Sequence, residues 1–294
     1  MAHPDVTLPD LHGHTTIVTG ANSGIGRAVA DRLAAAGARV VLAVRDLDQG
    51  KAAAAAMTGD TEVRLLDLGD LASVLAFAGD WTEPIDLLFA NAGIAGAIPF
   101  GRTADGFEQM IGVNHLGHFA LTLALLERLR GRVIVTSSMA ERSARLDLDD
   151  LNWARREYRP RQAYADSKLA NLLFTGELQR RLTAAGSPVA VHAAHPGLVA
   201  TAIYHRHPAR SVFGRVVTAL LLRLVAQAPE QGALPLLHAA VADLEPDSFT
   251  GPAHLVHMRG APVPLARSDP ARDVDLARRL WAQSETLTGV RSPV

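Results

Sequence analysis

Short apolar runs alternate with longer stretches of helical period along most of the chain. Residues 15–19 are β-branched and apolar, and the glycine-rich segment 20–26 follows them. Residues 27–36 are alanine-rich, with Val29 and Leu33 four apart, and Gly37 ends the stretch. Strands are predicted over 39–44, 62–66, 85–89, 132–136 and 189–193. Helices are predicted over 46–57, 70–78, 105–130 and 161–184, with Gly186 and Pro188 beyond the last. Strands that are continuously apolar rather than alternating are expected to be buried on both faces. Strands spaced by helices of this length imply βαβ units and a parallel sheet. The predicted fold is a doubly wound α/β domain of the Rossmann type. One domain accounts for residues 1–294, with about 12–201 as its cofactor and catalytic part. Beyond Thr201 the pattern loosens. Residues 211–224 and 229–242 read as helices, 253–256 as a last strand, and 260–294 as a proline- and arginine-rich peripheral tail.

Composition narrows the function classes. At 48% apolar and 20% charged residues the chain can bury a large core and is not a disordered sequence. A net charge of −1 offers no global attraction to nucleic acid or to an anionic membrane. With no cysteine, disulfides, thiolate metal sites and thiol nucleophiles are excluded. The first ten residues are polar and unlike a signal peptide. The longest apolar run, 216–225, is broken by Arg223 and too short to span a bilayer. The expectation is a cytoplasmic protein without a membrane span or nucleic-acid partner.

The segment Thr19-Gly20-Ala21-Asn22-Ser23-Gly24-Ile25-Gly26 joins the first strand to the first helix. Glycine permits a tight turn and close approach of a pyrophosphate to the helix N-terminus, where N–H groups and the helix dipole favour anionic oxygen. Gly20, Asn22, Ser23, Gly24, Ile25 and Gly26 are thus candidate cofactor contacts. A glycine-rich turn without ligand is the bland alternative; the placement between strand and helix argues for binding. At the end of the second strand stands Arg45, where a carboxylate would select NAD. A guanidinium suits a 2′-phosphate, which favours NADP(H) over NAD(H). A solvated surface arginine is the competing reading. Asp46 is read as the cap of the next helix.

Lysine and tyrosine are scarce. Of the 29 basic residues only Lys51 and Lys168 are lysines, and there are three tyrosines: Tyr158, Tyr164 and Tyr204. Yet Tyr164-Ala165-Asp166-Ser167-Lys168 puts one of each four apart on a predicted helix. Residues i and i+4 share a face, so phenol and ammonium project together. A nearby cation stabilises phenolate and makes tyrosine a usable general acid/base. Chance would give about 0.02 such pairs in a chain of this composition.

Those segments resemble the short-chain dehydrogenase/reductase superfamily. The carrying residues are 19–26, Asn91-Ala92-Gly93, Tyr164 to Lys168 and Pro196-Gly197, with the match extending over about 12–255. Within it the chain most resembles the retinol-dehydrogenase-like and protochlorophyllide-reductase-like branch. Three strings carry that likeness: Val113-Asn114-His115-Leu116-Gly117-His118-Phe119, Ser167-Lys168-Leu169-Ala170-Asn171-Leu172-Leu173-Phe174 and Pro229-Glu230-Gln231-Gly232-Ala233. The resemblance implies that Ser138 hydrogen-bonds the substrate oxygen, its neighbour Ser137 pointing the other way on an extended segment. It implies that Asn114 kinks its helix and holds a water that relays protons to Lys168; the alternative is an asparagine bonded locally inside a helix. Lys168 would also hold the nicotinamide ribose. Asn91, Ala92 and Gly93 would pass under the adenosine side, and Asp67 with Leu68 would contact adenine. Pro196, Gly197, Val199 and Thr201 would line the nicotinamide end. The turn before Asn91 departs from the family's usual Asn-Asn-Ala-Gly, with Ala90 replacing the first asparagine. Homodimers or homotetramers through the helices at 105–130 and 161–184 are the family habit, although the branch includes monomers.

The site so read suits hydride transfer between a nicotinamide cofactor and a carbonyl or alcohol carbon of a small lipophilic substrate. A C=C reductase, as the protochlorophyllide likeness suggests, is a second reading. A non-catalytic cofactor-binding regulator is a third, which the full Asn114, Ser138, Tyr164 and Lys168 set opposes. A sugar-nucleotide epimerase would need a differently spaced glycine loop and a larger C-terminal domain. No metal site is expected, because the twelve histidines, including His205/His207 and His192/His195, do not assemble three ligands. His115 and His118 are expected to pack around their helix. Phe100, Trp153, Tyr204 and Phe213 read equally as cleft lining or as core. The stretch 212–225 reads equally as a lid or a docked amphipathic helix.

Overall fold

The strands predicted over 15–19, 39–44, 62–66, 85–89, 132–136 and 189–193 form in the computed structural model, which describes residues 5–199 and 226–294. The strands are β1 (Thr15–Thr19), β2 (Arg39–Val44), β3 (Thr61–Leu65), β4 (Ile85–Ala90), β5 (Leu129–Thr136), β6 (Ala190–Ala194), β7 (Phe249–His254) and β8 (Arg259–Pro264). They form one sheet in the order β3-β2-β1-β4-β5-β6-β7-β8. All neighbours are parallel except β7 and β8. The order reverses between β1 and β4, and in open α/β sheets ligands bind outside the strand C-termini at such a switch.

The first helices are α1 (Gly24–Ala35), α2 (Leu47–Ala54) and α3 (Leu71–Gly79). Asp46 caps α2 as expected, accepting from the Gln49 N–H at 3.0 Å and from the Gln49 side-chain amide at 2.7 Å. Asp70 likewise caps α3. Apolar side chains of both sheet faces pack against these helices in two layers. Ile17, Leu88, Val133 and Phe119 lie in one, and Val18, Leu42, Phe89 and Leu237 in the other.

The single helix expected over 105–130 is replaced by a composite. Gly106, at φ +82°, turns the chain first, and the buried Glu108 carboxylate then accepts from the Met110 and Ile111 N–H groups to start α4 (Gln109–Ile111). A π-turn follows at Gly112–Leu116, then α5 (Gly117–Leu125). Beyond it α6 (Pro160–Ala184) and α7 (Pro229–Val241) stand close to their predicted bounds. Thr201, Tyr204, Phe213 and the stretches 211–224 and 212–225 lie outside the described residues, and so do His205 and His207.

The peripheral tail expected over 260–294 is overturned. A turn with positive φ at Leu255, Val256 and His257 sends the chain back as β8, antiparallel to β7. Pro262 and Pro264 lack an N–H, which an edge strand tolerates and which hides it as a strand in sequence. Then α8 (Val274–Thr288), capped by Asp273, buries Ala277, Leu280, Trp281, Ser284 and Thr288. Trp281 is 2% exposed. Its ring meets Phe119 of α5 edge-on at 5.1 Å and stacks on Phe174 of α6 at 5.9 Å. Phe119 of α5 and Phe174 of α6 are thus packed against the chain's own last helix. Among the described residues no helix is long and apolar enough to cross a membrane.

Trp281→Ala tests whether the tail is structural. Truncating a buried tryptophan costs about 3–5 kcal/mol. The denaturant midpoint should drop accordingly, whereas a truly peripheral tail would leave it unchanged.

Candidate active site

The end of β1 starts the site. Gly20 takes φ +68°, a conformation that favours glycine. Gly26 permits the close packing of α1, since a Cβ there would lie 2.5 Å from the Asn91 amide nitrogen and 2.6 Å from the Gly20 carbonyl. Thr19 ties this loop to the turn after β4: its Oγ1 accepts from the N–H groups of Asn91 and Ala92, both at 2.9 Å. The Asn91 amide in turn donates to the Thr19 carbonyl at 3.0 Å. Asn22, Gly24 and Ile25 are partly exposed and Ser23 fully so, leaving a polar rim on the loop. The cradle, its helix N-terminus and its position at the β1/β4 switch fit a dinucleotide pyrophosphate.

Arg45, at the end of β2, is exposed, and among the described residues its side chain makes no hydrogen bond or ion pair. Its neighbour Asp46 has both carboxylate oxygens engaged in capping α2, so it is committed to structure. Asp67 is half-buried after β3 and closes its own turn by accepting from the Gly69 N–H at 2.8 Å. The Leu68 side chain turns into the core, which leaves only its backbone for an adenine contact. Pro196 and Gly197 are half-buried after β6, and Val199 is buried against α7.

The acid/base group gathers between β5 and α6. Ser137 and Ser138 divide as alternation on extended backbone requires. Buried Ser137 donates to the Lys168 carbonyl at 2.8 Å. Ser138 is half-buried, and among the described residues its Oγ accepts from the Ala140 N–H at 3.2 Å and donates to no partner, so its proton is available to give. Tyr164 is half-buried against an apolar cluster of Met110, Trp153 and Ala163 with Ile94, Ile98 and Tyr158. The Lys168 ammonium lies 5.7 Å from the Tyr164 ring centre. It is 4% exposed, donates to the Thr136 carbonyl at 3.0 Å, and has no carboxylate partner among the described residues. Burial lowers its pKa to about 8. Asn114 sits fully buried in the π-turn. Its amide accepts from the Ile94 N–H at 2.8 Å and donates to the Ile94 carbonyl and Ser167 Oγ, each at 3.0 Å. With the amide so occupied, a relayed water would fall to the backbone carbonyl. A Cβ on Gly93 would lie 3.0 Å from Asn114 Oδ1 and 3.8 Å from Lys168 Nζ, so the β4 turn, Asn114 and Lys168 adjoin one another.

Sequence reasoning missed two groups. Glu108 starts α4 and accepts from the Tyr158 hydroxyl at 2.9 Å, which fixes the wall beside Tyr164. Thr19 carries the contacts that join the two turns. The spacing of Thr19 to the glycine loop could have pointed to it; nothing local marks Glu108, whose partner lies 50 residues on. Of the aromatic candidates, Trp153 is buried, whereas Phe100 stays 42% exposed and meets Tyr158 edge-on at 5.2 Å. Among the described residues no three His, Asp or Glu side chains are grouped to hold a metal ion.

Burial pushes four imidazoles down, His115 to about 3 and His118, His192 and His195 to about 4. All four stay neutral in the fold, whereas an unfolded imidazole titrates near about 6.5. Below that pH the unfolded chain binds more protons, so stability falls as pH drops from about 6.5 towards 4. By about pH 5.5 each contributes a loss on the order of 1 kcal/mol relative to neutral pH. The denaturant midpoint should therefore fall between about pH 7.5 and 5.5; a flat profile would contradict the burial of neutral imidazoles.

Comparison with known proteins agrees with this geometry. A family model described as short chain dehydrogenase matches residues 14–211. Human retinol dehydrogenase 13 is 41% identical over 300 residues, covering 98% of this chain and 87% of the relative. A crystal structure of an uncharacterized protein from Mycobacterium paratuberculosis superposes with a TM-score of 0.84 at 48% identity, covering 98% of this chain and 97% of that one. A Beutenbergia cavernae structure described as an NAD(P) dependent gluconate 5-dehydrogenase, with NADP bound at low occupancy, superposes with a TM-score of 0.57 at 28% identity. It covers 78% of this chain and 90% of that one.

Proposed function

The chain belongs to the short-chain dehydrogenase family of oxidoreductases, in its retinol-dehydrogenase-like branch, and from that premise we propose that it interconverts a lipophilic alcohol and its carbonyl using NADP(H). The observation that carries this reading is Lys168. A buried ammonium without a carboxylate is costly, and such groups persist where they serve chemistry. Here the charge lies beside the one tyrosine that shares its helix face.

The cofactor, when bound, supplies or takes the hydride at its nicotinamide. In the reductive direction the Ser138 hydroxyl and the Tyr164 phenol donate hydrogen bonds to the substrate oxygen. Negative charge develops on that oxygen as the carbon is reduced, and prepositioned donors stabilise it. Tyr164 then gives its proton to the oxygen, completing the alcohol. The Lys168 charge stabilises the phenolate left behind, and reprotonation runs from its side. Oxidation follows the same steps in reverse.

The apolar wall of Ile94, Ile98 and Tyr158 beside Tyr164 supports a lipophilic substrate, as does likeness to a retinol dehydrogenase. Unpaired Arg45, with Asp46 committed to its cap, supports NADP(H). Self-coverage of α5 and α6 by α8 supports a chain that acts without pairing through those helices.

A panel of retinoid and other lipophilic alcohols and carbonyls, run with each cofactor, tests the reading. NADPH should exceed NADH by about 10-fold or more in kcat/KM, and Arg45→Leu should erase the difference; equal use of both by the parent chain refutes the Arg45 reading. Tyr164→Phe should lower kcat by about 10²–10⁴-fold while leaving the NADPH Kd within about threefold. Undiminished turnover in that variant would remove Tyr164 from the chemistry. Product analysis separates alcohol formation from C=C reduction.

A further inference from the structure

The two histidines of the π-turn region face opposite ways. His115 points to α8, with Nε2 3.0 Å from Ser284 Oγ. His118 points to the cofactor side and is 1% exposed. We propose that His118 is a positioning residue, locked as the Nδ1–H tautomer, that ties the Asn114 backbone carbonyl to the Thr19 hub under the cofactor turn.

The tautomer follows from donor and acceptor arithmetic. His118 Nδ1 lies 3.1 Å from the Asn114 carbonyl oxygen. A carbonyl only accepts, so Nδ1 carries the proton. Burial keeps the ring neutral, and Nε2 is therefore a bare acceptor. Its neighbour at 2.9 Å is Thr19 Oγ1. Both lone pairs of that hydroxyl are already taken by the Asn91 and Ala92 N–H groups. The one remaining Thr19 proton has two acceptors in reach, Nε2 and the Phe89 carbonyl at 3.1 Å. Given to Phe89, it would strand a buried imidazole nitrogen facing a hydroxyl lone pair. Given to Nε2, every partner is satisfied.

The result is a chain of one direction. The Asn91 and Ala92 N–H groups donate to Thr19, Thr19 donates to His118, and His118 donates to Asn114. It joins the β4 turn, the end of β1 and the π-turn, three segments that separately carry cofactor and acid/base groups. His118 stands four residues after Asn114, so the ring reaches back over one helical turn to the carbonyl. Movement of the cofactor turn is thereby coupled to the π-turn beside Lys168. This inference rests on that reading of the site, but its first test needs no turnover.

Long-range proton–nitrogen NMR of the full chain, labelled with ¹⁵N-histidine, reads the tautomer directly, with His118→Gln assigning the resonance. The expected spectrum at neutral pH shows a protonated Nδ1 and a bare Nε2. An Nε2–H tautomer or an imidazolium overturns the proposal. The second measurement is NADPH Kd by fluorescence titration for His118→Phe, Thr19→Val and the double variant. His118→Phe should weaken binding by about 10-fold, and Thr19→Val, which also strands the Asn91 and Ala92 N–H groups, should weaken it further. The double variant should be no more than about twofold worse than Thr19→Val alone. Independent, multiplying effects would show that the two side chains do not act as one chain. A correct tautomer with inactive protein would sink the proposed reaction and leave this inference standing.

Discussion

Holding the Lys168 ammonium in a buried place without a counter-carboxylate is the constraint on which the rest of the site depends. A buried charge is tolerated only when its donors find acceptors. The Thr136 carbonyl, at the end of β5, accepts from both Lys168 Nζ and the Asn171 amide at 3.0 Å. Ser137 returns a bond to the Lys168 carbonyl. Strand β5 and helix α6 are thus clamped where Ser138 and Tyr164 emerge. The next residue after the clamp, Ser138, is free to face outward because Ser137 is spent on it. Position in the strand and the buried charge together decide which serine is available.

Burial of the helices that flank the site also draws on residues from far along the chain. Trp281 of α8 closes an aromatic cluster with Phe119 and Phe174, one on each of the helices that flank the site. The guanidinium of Arg181 lies over the same indole at 4.3 Å, so a surface arginine finishes the seal. The antiparallel β8 covers the edge of β7 in the same way. In both places the chain supplies to itself the burial that a second subunit could otherwise provide.

Most of the central sheet was legible because its signal is local. Short runs rich in β-branched and aliphatic residues mark β1 to β6, and Asp46 and Asp70 announce their helices. The Tyr164–Lys168 pair was legible for a statistical reason, since both residue types are scarce. The irregularity at Gly112–Leu116 was legible only through the family resemblance, which implied a kink at Asn114; the bond that holds it runs from Asn114 to Ile94, twenty positions away. The last helix buries positions 277, 280, 281 and 284 at a helical period, but the serine among them and the arginine and proline around it mask that period. Glu108 was illegible: a lone buried carboxylate is recognised only by its partners.

The connection between the two halves of the site now has a material form. A dinucleotide loop and a tyrosine–lysine pair are separable in sequence, and either alone would be compatible with other chemistry. Thr19 makes them one object. Its hydroxyl uses both lone pairs on the turn that follows β4, and its single proton lies within reach of the helix that carries Asn114. A valine at that position would keep the β-branched shape that the strand needs and lose all of these bonds. What the site uses of this threonine is therefore its polarity, not its strand preference. The rigidity of the cofactor turn and the placement of the π-turn are two readings of one hydrogen-bonded hub.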